Sequence, residues 1–136
     1  MLVTIPDLLS ADEVAHIRQT LEQSHWVDGR VSAGNQGIKV KHNLQIPVDS
    51  EEARTLGGII LQALGRNATY SSAALPLRVL PPMFNRYDEG MTFGAHVDGS
   101  IRTVPGASQY IRTDVSTTVF LTPPEDYDGG ELFVQD

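Results

Sequence analysis

The chain of 136 residues contains no cysteine. That absence excludes a disulfide framework, a thiolate metal site and a cysteine nucleophile. Histidine is scarce, with four in all (His16, His25, His42 and His96), so an imidazole-based site has few candidates. Long apolar runs are missing too. No window approaches the roughly 20 apolar residues of a membrane span. The stretch from Met1 to Asp7 has neither the basic region nor the apolar core of a signal peptide, so we expect a cytoplasmic protein with no membrane partner. Positive charge is in short supply: 10 Lys and Arg stand against 17 Asp and Glu, a net −7. Phosphate backbones are gripped by clustered Lys and Arg, so nucleic acid is not an expected partner. Nor is there a G-x-S-x-G elbow, which leaves a hydrolase built on Asp98 and Ser100 without support.

What is present fits one domain of ordinary globular composition, 40% hydrophobic and 20% charged. Twelve Gly and eight Pro suggest many turns. Ser10-Ala11-Asp12-Glu13 reads as a capping box, with Val14, Ile17 and Leu21 following at helical spacing, which predicts a helix over 10–23. A second helix is predicted over 50–66, from the stripe Ala53, Leu56, Ile59, Ile60, Ala63 and Leu64. Gly57-Gly58 should weaken it by about 1 kcal/mol per residue. Residues 71–76 read as a link. Strands are expected at 26–28, 38–41, 43–46, 77–80, 83–87, 93–97, 115–121 and 131–134, with loops at 32–37 and 123–130. Helices first and antiparallel strands afterwards indicate an α+β fold, helices covering one side of a sandwich or barrel. We place a helical part at 1–70 and a strand part at 71–136. The last strand has no cap or polar tail, so the chain is expected to be incomplete at its carboxy terminus.

The chemistry-bearing feature is His96-Val97-Asp98. On a strand, residues i and i+2 share a face, so an imidazole and a carboxylate are aimed together while Val97 faces the opposite layer. A second imidazole would complete a 2-His-1-carboxylate facial triad, the ligand set of non-haem Fe(II) oxygenases. Alone, H-x-D is a weak signal, equally readable as two solvated side chains at a strand end. Gly94 and Gly99 bracket it, and Tyr87, Gly90 and Phe93 precede it at regular intervals.

Taken together, Asn85-Arg86-Tyr87, Gly90, Phe93-Gly94, His96-Val97-Asp98 and Ile101-Arg102 resemble the PKHD-type (prolyl/lysyl hydroxylase-type) Fe(II)/2-oxoglutarate-dependent dioxygenases of bacteria. The likeness continues through Arg112 to Leu121 and Gly129-Gly130-Glu131-Leu132. Upstream it includes Trp26-Val27-Asp28-Gly29-Arg30, Lys41-x-Asn43 and Ser72-Ala73-Ala74-Leu75-Pro76. It is greatest to the PiuC-like hydroxylases associated with iron uptake. The resemblance implies a double-stranded β-helix (jelly-roll) core with helices packed on one sheet. His96 and Asp98 would be iron ligands, and Tyr87 would help hold 2-oxoglutarate, a core tyrosine being the alternative. It also implies hydroxylation driven by O2 with 2-oxoglutarate converted to succinate, ascorbate keeping the iron reduced, and a substrate that is a peptide side chain or a small metabolite. Arg102 and Arg112 fall near the implied pocket mouth, as substrate contacts or as surface salt bridges.

The sequence departs from that family in one respect. No His follows His96, and the only later Arg residues, Arg102 and Arg112, come too early to hold the cosubstrate's far carboxylate. His16, His25 and His42 do not match the missing ligand. A catalytically inactive fragment or binding module of the same fold is therefore the competing expectation, with a cupin-like metal enzyme behind it. Unpaired strands in such a half-domain would leave edges and apolar faces open to self-association, so a homo-oligomer is a further expectation.

Overall fold

The computed structural model describes residues 1–35, 37–104 and 106–135. Gln36, inside one predicted loop, lies outside them. Helix α1 runs Ala11–Glu22. Its start is the predicted capping box: Glu13 N–H donates to Ser10 Oγ at 3.1 Å, and Ser10 N–H donates to Glu13 Oε1 at 2.9 Å. Its far end is closed by the Trp26 indole, which donates to the Leu21 carbonyl at 3.0 Å. Helix α2 runs Glu51–Arg66 behind the N-cap Ser50. Ile17 and Leu21 of α1 meet Ala53, Leu56, Ile60, Ala63 and Leu64 of α2 in the main core, joined by Leu9, Ile46, Tyr70 and Phe84. Ile17 and Leu56 are fully enclosed, and burial of such a side chain is worth about 1.5–3 kcal/mol. Gly57 is useful where it sits. A Cβ there would lie 3.4 Å from the ring of Pro82, so glycine lets the chain at Pro82 cross close to the helix.

The predicted link at 71–76 is instead mostly helix: α3 spans Ala68–Ala74. Asn67 ends α2 and starts α3 at once, its side chain accepting from Tyr70 N–H at 2.8 Å. Tyr70, buried in the core, anchors the turn.

Among the described residues, seven short strands follow the α+β expectation in three small antiparallel sheets. β1 (Val27–Asp28), β3 (Leu44–Gln45) and β4 (Asn85–Arg86) form the first, in the order β1-β3-β4. β2 (Lys41–His42) pairs with β5 (Thr92–Phe93), in the register Lys41 opposite Phe93 and His42 opposite Thr92. β6 (Ile101–Thr103) and β7 (Tyr110–Arg112) make a hairpin. β2 and β3 belong to different sheets with only Asn43 between them. The described residues form no continuous jelly-roll sheet. The segments predicted as strands at 77–80, 115–121 and 131–134 enter no ladder. A strand exists by virtue of its hydrogen-bonded neighbour, and no described segment lies alongside these. Val119 and Leu121 pack on the core, whereas Phe120, Leu132, Phe133 and Val134 are exposed. The predicted strand 38–41 is largely a single helical turn, Gly37–Lys39, ahead of β2. No helix among the described residues is long and apolar enough to cross a membrane.

Candidate metal centre

The strand predicted over 93–97 is shorter than its sequence suggests. β5 ends at Phe93, and one further ladder-like bond runs from Gly94 N–H to the Val40 carbonyl at 2.9 Å. Gly94 is needed for this approach, since a Cβ there would fall 3.1 Å from Val40 Cβ. Gly99, by contrast, has ordinary room around it. His96 and Asp98 therefore lie just beyond the ladder, yet their side chains still meet. His96 Nε2 is 3.2 Å from Asp98 Oδ1. The other ring nitrogen, Nδ1, is 2.7 Å from the Gly94 carbonyl. Phe93 stacks on the imidazole, ring centroids 3.7 Å apart and planes 11° from parallel. The opposite layer expected for Val97 is not there; that side chain is 90% exposed.

Both imidazole nitrogens thus face oxygens. A neutral ring carries one proton, and an Nδ1–H donated to Gly94 leaves an Nε2 lone pair beside a carboxylate. That pairing is unfavourable unless a cation sits between them or the ring takes a second proton. The geometry suits a cation. With metal–ligand bonds of about 2.1 Å, two ligand atoms at right angles lie about 3.0 Å apart. A backbone carbonyl on Nδ1 is also the usual way to fix the tautomer of a ligating histidine. The residues present therefore fit two positions of a divalent ion's shell. Among the described residues no group of three His, Cys, Asp or Glu could hold a metal. His16, His25 and His42 are all exposed, and none of them hydrogen-bonds to His96 or Asp98 among the described residues.

Tyr87 follows β4, half its surface exposed. Burial of the rest raises its hydroxyl above the ordinary phenol value, and a hydrogen bond with Asn43 opposes that rise. Arg112 forms a surface ion pair with Asp114 at 2.8 Å. Arg102 turns instead toward Met83, 3.8 Å from its sulfur.

Two residues matter more than their sequence context suggested. Phe93, part of the spaced motif ahead of His96, stacks on its ring. Lys41, at the end of the strand expected over 38–41, is only 8% exposed. Its ammonium donates to Ser32 Oγ at 2.9 Å and lies 5.3 Å from the centre of the Phe93 ring. The signal was available only in the pairing of positions 41 and 93, which no local pattern carries. Beside this pair runs a shallow groove of about 550 Å3, whose wall includes Lys39, Lys41, His42 and Gly94.

No family model matches the chain. Curated relatives do. A PKHD-type hydroxylase of Paracoccus denitrificans is 74% identical over all of this chain, which spans 60% of that relative's length. PKHD-type hydroxylases of Cupriavidus metallidurans and Gluconobacter oxydans are 65% and 62% identical, again over the whole chain and 60% of their own lengths. The chain therefore spans about three-fifths of the length of the curated relatives it matches, and along its entire length it is similar to proteins named PKHD-type hydroxylase.

Proposed function

We propose that the chain is the part of an Fe(II)- and 2-oxoglutarate-dependent hydroxylase that carries the first two iron ligands, His96 and Asp98. The observation that carries the reading is the 3.2 Å approach of His96 Nε2 to Asp98 Oδ1, with Nδ1 held on the Gly94 carbonyl. The family name shared by relatives up to 74% identical supports it. Ferrous iron, when bound, would supply O2 activation coupled to conversion of 2-oxoglutarate to succinate and CO2, the second oxygen atom entering the substrate as a hydroxyl. The protein's own part is geometric. Gly94 fixes the imidazole tautomer, Phe93 fixes the ring plane, and Asp98 supplies the negative charge that favours a divalent cation. Tyr87 would donate its hydroxyl to a carboxylate oxygen of 2-oxoglutarate. A phenol is protonated at neutral pH, and burial moves Tyr87 further in that direction. The third ligand and the cation for the far carboxylate would come from the remaining two-fifths of the relatives' length, as would the strands that complete a jelly roll. Ascorbate as reductant, a cytoplasmic location, a role in iron uptake and a peptide or small-metabolite substrate belong to the same reading.

Anaerobic Fe(II) titration tests it. One weak site is expected, lost in both His96→Ala and Asp98→Ala; equal binding by all three proteins would refute the assignment. With two protein ligands, succinate release in the presence of Fe(II), 2-oxoglutarate and ascorbate should be negligible.

The absence of a third ligand among the described residues favours a second reading for the 136-residue polypeptide itself, a binding module without turnover. Robust succinate release would exclude it.

A further inference from the structure

Lys41 and Phe93 stand opposite each other in the β2–β5 ribbon, so their side chains share one of its faces. On that face the Lys41 ammonium lies over the Phe93 ring, 5.3 Å from its centre. The His96 imidazole is stacked on the same ring at 3.7 Å. A buried cation, an aromatic ring and a candidate metal ligand are thus in contact one after another.

Two other elements hold the ammonium in place. It donates to Ser32 Oγ at 2.9 Å, at the end of the helical turn Gly29–Ser32. Ser32 Oγ lies 2.6 Å from Oε1 of the buried Gln45 on β3. The hydroxyl proton goes to Gln45, or to the Gly29 carbonyl at 3.1 Å, and either choice leaves a lone pair for Lys41. No carboxylate pairs with this ammonium among the described residues. Burial, and then the positive field of Arg102, lower it below its ordinary pKa, with Asp28 opposing. An apolar side chain would fill the same space without the cost of burying a charge. The group that answers the charge is the ring, whose negative face attracts a cation within about 6 Å of its centre, more strongly where water is excluded.

We propose that Lys41 is a positioning residue for His96: its ammonium holds the Phe93 ring, and the ring holds the imidazole so that Nε2 meets Asp98. Its role in metal binding rests on the reading of His96 and Asp98 as iron ligands; the contact from Lys41 through Phe93 to His96 does not. The sign of the effect separates positioning from simple charge. A cation acting only through its field opposes a bound dication, so its removal would tighten metal binding. A cation acting through the ring does the reverse, and its removal loosens metal binding.

Two measurements on the 136-residue chain test this. In the metal-free protein in EDTA, the stacked Phe93 ring should shift the His96 ring protons upfield in the proton NMR spectrum. Lys41→Met should shrink that shift, and Lys41→Arg should keep it, since a guanidinium also sits on aromatic faces. Zn(II) affinity, read by competition with a chelating dye, should fall about 3- to 10-fold in Lys41→Met, at or below the size of one outer contact of a ligating histidine, and return in Lys41→Arg. Beside Phe93→Leu the same substitution should cost nothing more, because the ring through which it acts is gone. A loss from general destabilisation would persist there. Ser32→Ala removes the hydroxyl that holds the ammonium; it should act in the same direction, and it decides the question should Lys41→Met fail to fold. Unchanged His96 shifts in Lys41→Met and Ser32→Ala, tighter Zn(II) binding, or an undiminished loss beside Phe93→Leu overturns the proposal. Equal Zn(II) binding by wild type and His96→Ala would instead refute the metal reading, and the metal-free spectra would still decide the contact.

Discussion

Phe93 lies flat against the imidazole of His96, 3.7 Å from centre to centre. The stack supports a ring whose two nitrogens meet the Gly94 carbonyl and the Asp98 carboxylate. Replacing Phe93 with Leu keeps an apolar side chain in place and removes the flat surface. Outer contacts that orient a ligating histidine are worth about 10-fold or more in metal affinity. Phe93→Leu should therefore weaken divalent-ion binding by roughly that factor without unfolding the chain. Competition with a chelating dye measures it, and unchanged affinity would show that the ring needs no support.

Gly29 and Asn43 leave no space between them. A Cβ at position 29 would lie 1.8 Å from Asn43 Oδ1, and Asn43 is 2% exposed. The Gly29 N–H also donates to the Asn43 carbonyl at 2.9 Å, so the backbone has little freedom to retreat. Overpacking of this kind costs about 1–3 kcal/mol. Gly29→Ala should lower stability by that amount in urea unfolding; a neutral result would mean that Asn43 moves aside without loss.

Leu56 and Val97 make a contrasting pair. Leu56 is fully enclosed between helices, and truncation to Ala should cost about 2–5 kcal/mol. Val97 is almost wholly exposed, and Val97→Ser should change stability by less than about 0.5 kcal/mol. Denaturation midpoints of the two variants compare them directly. A large loss at position 97 would reveal a covering layer over the H-x-D segment.

Asp28 supplies the pH dependence. Hydrogen bonds from the Arg30 side chain, and then from its backbone N–H, hold the carboxyl at about 2 instead of 3.8. A depressed acid stabilises the fold above its ordinary pKa and loses that contribution as pH falls through the folded value. The turn at 28–30 should therefore stay intact down to about pH 4 and loosen between there and pH 2. Carbon-detected titration of Asp28 reads the midpoint, and Asp28→Asn should remove the transition. A midpoint near 3.8 would mean the pair is open in solution.

The exposed Phe120, Leu132, Phe133 and Val134 lie on segments without strand partners. Unpaired backbone beside apolar side chains invites association between chains. Light scattering after size-exclusion chromatography should show mass rising with concentration, and Phe133→Ser with Val134→Ser should reduce it. A stable monomer of the wild-type chain would count against this.

The two long helices were legible because their signals are local: a reciprocal cap at Ser10 and Glu13, and an apolar stripe from Ala53 to Leu64. α3 is less legible because its start depends on Asn67, whose side chain accepts from the Tyr70 N–H three residues on, and the segment carries no apolar stripe of its own. The strands expected at 115–121 and 131–134 do not form among the described residues, for a different reason. β-branched composition reports suitability for a pleated surface, and it cannot report whether a neighbour arrives. His96 and Asp98 were found together as the i, i+2 rule suggested, although the ladder that was to align them ends at Phe93. Lys41 was hidden because its burial depends on a cross-strand partner fifty-two positions away.

Asn43 stands between two ribbons that lead in different directions. The ribbon before it runs through β5 to His96, and the one after it runs through β4 to Tyr87. A single residue therefore joins the ribbon that leads toward the imidazole to the one that leads toward the phenol. A backbone shift at Asn43 would therefore reach both ribbons at once.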